Sequence, residues 1–268
     1  MDVSFSDLLL ALGLTLVAGL STGIGSLMAF YSGRTDKKFL SWALGLSAGV
    51  MVYISFMELL PESLSDIQAT YGGKLGEIIV LASFFAGVAL IALIDWLIPE
   101  DENPHEVMMV ESMRTGGNDP QLHRTAFMLA LAIGIHNFPE GIATFVAGLE
   151  GLSMALPVVV AIAIHNIPEG IAVSVPIYHA VGDRKKALKY SLLSGLAEPV
   201  GAIFAALFIL PFWSPVMSAV LMSVVAGIMV YISFDELLPG SERFGHHHMA
   251  MIGVISGMAI MALSLLLF

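Results

Sequence analysis

Two stretches of the chain gather side chains that could hold a metal ion. His136-Asn137-Phe138-Pro139-Glu140-Gly141-Ile142-Ala143 recurs, with one change, as His165-Asn166-Ile167-Pro168-Glu169-Gly170-Ile171-Ala172. On a helix, residues four apart share a face, with Cβ atoms about 5–6 Å from each other. His136 and Glu140 therefore point the same way, as do His165 and Glu169, and Asn137 and Asn166 cover much of the same faces. Each copy offers an imidazole, a carboxamide and a carboxylate in one direction. This ligand set suits Zn²⁺, Fe²⁺, Mn²⁺ and Co²⁺, whereas Cu(I) prefers thiolates or clustered thioethers. The chain has no cysteine, so thiolate metal sites, disulfides and iron–sulfur clusters are excluded.

The surroundings of these motifs are apolar. Of the 268 residues, 57% are hydrophobic and 12% charged, with mean hydropathy +0.87. A soluble domain carries about 25% charged residues, so this is the composition of a membrane protein with short loops. The formal net charge of −11 argues against nucleic acid and other polyanions as partners. A bilayer core about 30 Å thick takes roughly 20 apolar residues per helix. Runs of that kind predict eight spans, over 7–30, 39–60, 77–97, 125–149, 153–177, 190–211, 216–238 and 249–268. The fold expected is therefore an all-α integral membrane protein forming one transmembrane domain over 1–268. The start, Met-Asp-Val, lacks a basic segment, so span one reads as retained rather than as a cleaved signal.

Ten of the eleven Lys and Arg residues fall in the loops after spans one, three, five and seven; Lys74 alone lies on the other side. Cations collect on the cytoplasmic side, which places both termini outside and makes the acidic and histidine-bearing loop 99–124 cytoplasmic. A second repeat follows from this topology. AGVMVYISFMELLPES (48–63) in span two and AGIMVYISFDELLPGS (226–241) in span seven agree at thirteen of sixteen positions. Five steps separate these spans, so they cross in opposite directions. Helices 1–3 and 6–8 then form an inverted repeat around helices 4 and 5, a plan on which transporters build midplane sites.

The two metal-ligand motifs fall within about a turn of the midplane of spans four and five. A carboxylate at a helix centre costs at least about 2.5–3.5 kcal/mol, and no Lys or Arg lies within a span to balance it. A divalent cation would neutralise both acids and use both imidazoles. Pro139 and Pro168 withhold the N–H groups that would bond the Ile135 and Ile164 carbonyls, predicting kinks that open a cavity beside the ligands. Glu198, in Ala197-Glu198-Pro199 of span six, is a further buried acid expected to complete a second position shared with Glu140 and Glu169.

Weaker signals lie toward the ends of the spans. Glu58 on span two reads as an entrance acid or a cap. Asp235, Glu236, His246, His247 and His248 around the loop after span seven read as an exit or sensing cluster, or as a solvated loop. Loop 99–124, with His105 and His123, allows regulatory metal binding or mere solvation. Two rival functions stay open from the residues alone: an intramembrane metalloenzyme, against which no HExxH sequence is present, and a passive metal-selective channel.

HNFPEGIATF (136–145), HNIPEGIAV (165–173), Gly195-Leu196-Ala197-Glu198 and the two ELLP segments resemble the ZIP (Zrt-, Irt-like protein) family of divalent metal transporters, and the resemblance covers essentially the whole chain. It implies a non-enzymatic function: import of Zn²⁺ and related ions, Fe²⁺, Mn²⁺, Co²⁺ and Cd²⁺ among them, through a binuclear site. By motif, His136, Glu140, His165 and Glu169 match one metal position, and Asn137, Asn166 and Glu198 with the shared acids match the other. The resemblance further implies a homodimer, alternating access by sliding of helix bundles, and a bacterial inner membrane. Family members narrow for zinc often carry Asp where this chain has Asn166, a departure that implies broader cargo.

Overall fold

A computed structural model describes residues 4–31, 36–97 and 120–267. Among them every regular element is helical: α1 Phe5–Tyr31, α2 Lys37–Ile54, α3 Leu60–Tyr71, α4 Gly73–Leu97, α5 Pro120–Glu150, α6 Leu152–Val181, α7 Arg184–Gly195, α8 Ala197–Phe204, α9 Pro215–Ile232, α10 Leu238–Arg243 and α11 His247–Leu267. Seven stretches are long and apolar enough to cross a membrane, and all seven coincide with expected spans. The eighth expected span lies in α5, a helix of 31 residues. Most of loop 99–124 lies outside the described residues, so its proposed metal binding has no structural counterpart here.

Local chemistry explains several boundaries. Asp36 caps α2, accepting from the backbone N–H of Lys38 at 2.9 Å and of Phe39 at 3.4 Å. Asp183 caps α7 in the same way, from Lys185 at 2.8 Å and Lys186 at 3.4 Å. An acid placed so satisfies N–H groups that no turn precedes, and it also favours the dipole. The long apolar run after Pro199 is divided where expected. A 3₁₀ turn over Leu210–Phe212 ends one helix, and Ser214 caps the next with Pro215 in its first turn.

The repeated sequences fold alike. Ser55–Leu59 and Ser233–Leu237 are both π-helical, and each ends with the next N–H bonding five residues back, Leu60 to Ser55 and Leu238 to Ser233. In each copy a proline follows at once, Pro61 or Pro239. Its ring presses on the carbonyl four residues earlier and widens the turn. The expected kinks at Pro139 and Pro168 do not interrupt their helices: α5 and α6 run as unbroken α-helix through both.

Helices approach closely because glycines face backbone across their contacts. Gly49 of α2 meets the Val254 carbonyl of α11, and its repeat counterpart Gly227 of α9 meets the Phe84 carbonyl of α4. On the facing helices, Gly257 and Gly87 return the contact to Leu46 and Val224. The repeated helices thus dock on their neighbours through equivalent small-residue contacts, the usual way helices associate in lipid. Two-thirds of the apolar window is buried in Lys37–Tyr71 and in Leu152–Val175, against 22% in Gly73–Leu97 and 28% in His247–Leu267. The former are central and the latter peripheral, with large apolar side chains such as Leu81, Phe85, Ile255 and Leu263 turned outward.

Candidate metal site

The two copies of the ligand motif meet at the centre of the bundle, where α5 and α6 pack together. His136, Asn137, Glu140, His165, Asn166 and Glu169 are all buried, none more than 3% exposed. His136 and His165 stack with ring centres 5.9 Å apart. From Nε2 of His165, Oε1 of Glu169 lies at 2.8 Å and Oε1 of Glu140 at 3.4 Å; from Nε2 of His136 the same atoms lie at 3.4 and 4.0 Å. Among the described residues, His136, His165 and Glu169 form a group whose ligand atoms lie within 4.8 Å of one another.

Glu198 joins from α8. The chain breaks between α7 and α8 at Leu196, which puts this fully buried acid in the first turn of a new helix. The Asn166 amide donates to its Oε1 and, at 2.9 Å, to the Ala18 carbonyl of α1. The amide orientation that satisfies Asn137 directs its nitrogen to the Ile133 carbonyl at 2.9 Å and to Oε2 of Glu169 at 3.1 Å. All seven residues expected at a metal site are therefore drawn into one connected cluster, the two asparagines linking its two ends.

The balance of donors in that cluster decides its chemistry. Both oxygens of Glu140, Oε2 of Glu198, Oδ1 of Asn166 and Nε2 of both histidines make no hydrogen bond. Buried polar atoms left so cost about 1–3 kcal/mol each, and carboxylates far more if unbalanced. The unsatisfied carboxylate and carboxamide oxygens are acceptors, and an unprotonated imidazole nitrogen adds another. A divalent cation answers that need, taking several at once in a ligand set of nitrogen and oxygen.

The weaker candidates separate. Glu236, in the π segment after α9, turns toward the cluster, with its Oε2 3.5 Å from Nδ1 of His136. Its repeat counterpart Glu58 is half-buried in the other π segment. Asp235 is exposed. His247 and His248 stand at the surface, where His247 pairs with Glu242 at 2.8 Å, and His246 lies in the same surface turn. One residue absent from every motif also reaches the site: Ser47 of α2 contacts Nδ1 of His165. The only trace of it in the sequence is that the duplicated segment stops one residue short of it, with Val225 in the equivalent place.

An all-helical bundle with apolar outer faces and a buried cluster of histidine and carboxylate ligands defines a polytopic membrane protein built around a metal-binding centre. The family model described as "ZIP Zinc transporter" matches residues 99–265. Proteins named Zinc transporter ZupT resemble the chain over nearly its whole length. That of Akkermansia muciniphila is 54% identical over 99% of this chain and 100% of its own. That of Clostridium perfringens is 52% identical over 99% and 98%, and that of Streptococcus mutans 55% over 95% and 96%. The chain belongs to the ZIP family, a family of transporters and not of enzymes. The metalloenzyme reading is thereby set aside.

Proposed function

We propose that the chain imports zinc, and with it Fe²⁺, Mn²⁺, Co²⁺ and Cd²⁺, through two adjacent metal positions at the centre of the bundle. The observation that carries this reading is the convergence of His136, Glu140, His165 and Glu169 into one buried group whose acceptors lack donors. Those four residues hold the first ion. Asn137, Asn166 and Glu198 hold the second, with Glu140 and Glu169 shared. The relatives' names supply zinc as the cargo.

The cation distribution orients the chain with both termini outside a bacterial inner membrane, so ions pass from outside past Glu58 and leave past Glu236. The contact of Glu236 with His136 gives a departing ion its next carboxylate on the cytoplasmic side of the site. The matching folds of 48–63 and 226–241 support an inverted repeat, in which α2 and α9 move against the helices bearing the site and open it to each side in turn. The working unit is a homodimer. Import is tested in proteoliposomes by inward flux of Zn²⁺, Fe²⁺, Mn²⁺ and Cd²⁺. A flux that saturates with concentration is expected; no zinc flux would overturn the reading, and a rate rising without limit would make the protein a channel.

Asn166 is expected to set the breadth of cargo. Its amide now donates to Glu198; an aspartate there would place two carboxylates against each other, which only a cation reconciles. Asn166→Asp should lower the melting temperature of the metal-free protein by about 5 °C or more and enlarge the rise produced by zinc. Competition between Zn²⁺ and Fe²⁺ in the flux assay should shift toward zinc. Equal metal-free melting temperatures for the two proteins would count against the Asn166–Glu198 contact.

A further inference from the structure

The imidazole of His165 has a second nitrogen that faces away from the carboxylates, and what that nitrogen meets decides how the ring presents itself to a metal. It meets the hydroxyl of Ser47, a residue with no solvent exposure. The same oxygen lies 3.3 Å from the backbone carbonyl of His165. A hydroxyl has one proton to give and two lone pairs to receive with. The carbonyl can only accept, so the hydroxyl proton goes there, and the Ser47 oxygen is left to accept from Nδ1–H. The ring proton is thereby assigned to Nδ1, and Nε2 keeps a bare lone pair beside Glu169 and Glu140. Imidazoles that bind metals are held in this manner, their far N–H fixed by an outer partner.

We infer that Ser47 is a positioning residue, which holds His165 as the Nδ1–H tautomer with Nε2 aimed at the ion. The inference rests on the reading of His165 as a ligand. The repeat provides an internal comparison. The position equivalent to Ser47 on α9 is Val225, equally buried at 3% exposure, so packing at this place in the fold is met by an apolar side chain and does not call for a hydroxyl. Correspondingly, His136 finds no serine: its Nδ1 meets the Glu236 carboxylate at 3.5 Å. The two imidazoles are oriented by different groups from the two repeated helices, and the serine stands where His165 needs it.

The test uses the full chain in detergent, with Zn²⁺ alone as probe against a competing chelator. Ser47→Ala should weaken zinc binding about 10–100-fold, the range for removing an outer partner of a metal-bound histidine. In a His165→Ala background the same change should alter affinity by less than about twofold, because the residue it acts through is gone. Nitrogen-15 spectra of the histidine-labelled, zinc-loaded wild type, assigned with His165→Ala, should show His165 bound through Nε2 with Nδ1 protonated. Wild-type affinity in Ser47→Ala, equal losses in both backgrounds, or coordination through Nδ1 would each overturn the inference. The spectra decide it even where Ser47→Ala does not fold. If His165→Ala alone bound zinc like the wild type, the metal-site reading would fall with it; if it lost zinc while Ser47→Ala did not, only the role of Ser47 would.

Discussion

Zinc flux into proteoliposomes falls about a hundredfold or more in Glu169→Ala, and nearly as far in Glu140→Ala. Loss of an outer partner alone costs about 10–100-fold in metal affinity, and these acids are proposed to touch the ions directly. Glu169 should be the more damaging position because its Oε1 approaches both imidazoles, at 2.8 and 3.4 Å, whereas the same atom of Glu140 lies at 3.4 and 4.0 Å. Melting temperature separates this outcome from misfolding. In the metal-free protein each ionised carboxylate is a buried cost of about 2.5–3.5 kcal/mol at the centre of a span. Removing one relieves part of that cost while leaving a small cavity, so the metal-free variants should melt within a few degrees of wild type. Their zinc-induced rise should vanish. A double variant, Glu140→Ala with Glu169→Ala, that still carried zinc at the normal rate would end the proposed path.

How far the sequence alone foretold this arrangement depends on the range of the interactions involved. The spans were legible because a bilayer leaves so few ways to satisfy backbone groups that an apolar run of adequate length has to be a helix. The ligand faces were legible because His136 with Glu140, and His165 with Glu169, are set by one helical turn and need no tertiary information. The Asp36 and Asp183 caps are equally local, yet they lie outside the apolar runs, so hydropathy placed the starts of those helices too late. The prolines misled in an instructive way. Pro139 and Pro168 sit in helices that remain regular, while the widened turns precede Pro61 and Pro239, where Leu60 and Leu238 bond five residues back. Which proline distorts its helix depends on whether neighbours hold the displaced carbonyl, and composition does not record that. Glu236 beside His136 and Ser47 beside His165 are contacts between segments about 100 residues apart. Neither shows in any local spacing, because the crossing of α2 and α9 over the site creates them.

The second large effect concerns a residue with no side chain to offer. Gly141 follows Glu140 directly, and it lies against the backbone of α8 so closely that a Cβ there would stand 2.0 Å from the Glu198 carbonyl oxygen and 2.5 Å from its Cα. The contact is returned by Gly201, where a Cβ would come within 2.1 Å of the Phe138 carbonyl. Since the obstruction is backbone on both sides, no rotamer change relieves it, and Gly141→Ala must drive α5 and α8 apart. Overpacking of this kind costs about 1–3 kcal/mol, against which alanine returns only about 0.5–1 kcal/mol of helix propensity. The melting temperature should fall by several degrees. The more telling effect is on metal content. Widening this crossing carries Glu198 away from Asn166 and the shared acids, while His136, His165 and Glu169 keep their places on α5 and α6. Zinc bound per chain should drop from two toward one, with transport lost. Gly134→Ala is the control: its nearest neighbours would be at 3.9 Å, an ordinary contact, so it should leave stability and stoichiometry unchanged. Two zinc ions per chain in Gly141→Ala, at wild-type melting temperature, would show that Glu198 does not depend on this crossing to reach the second position.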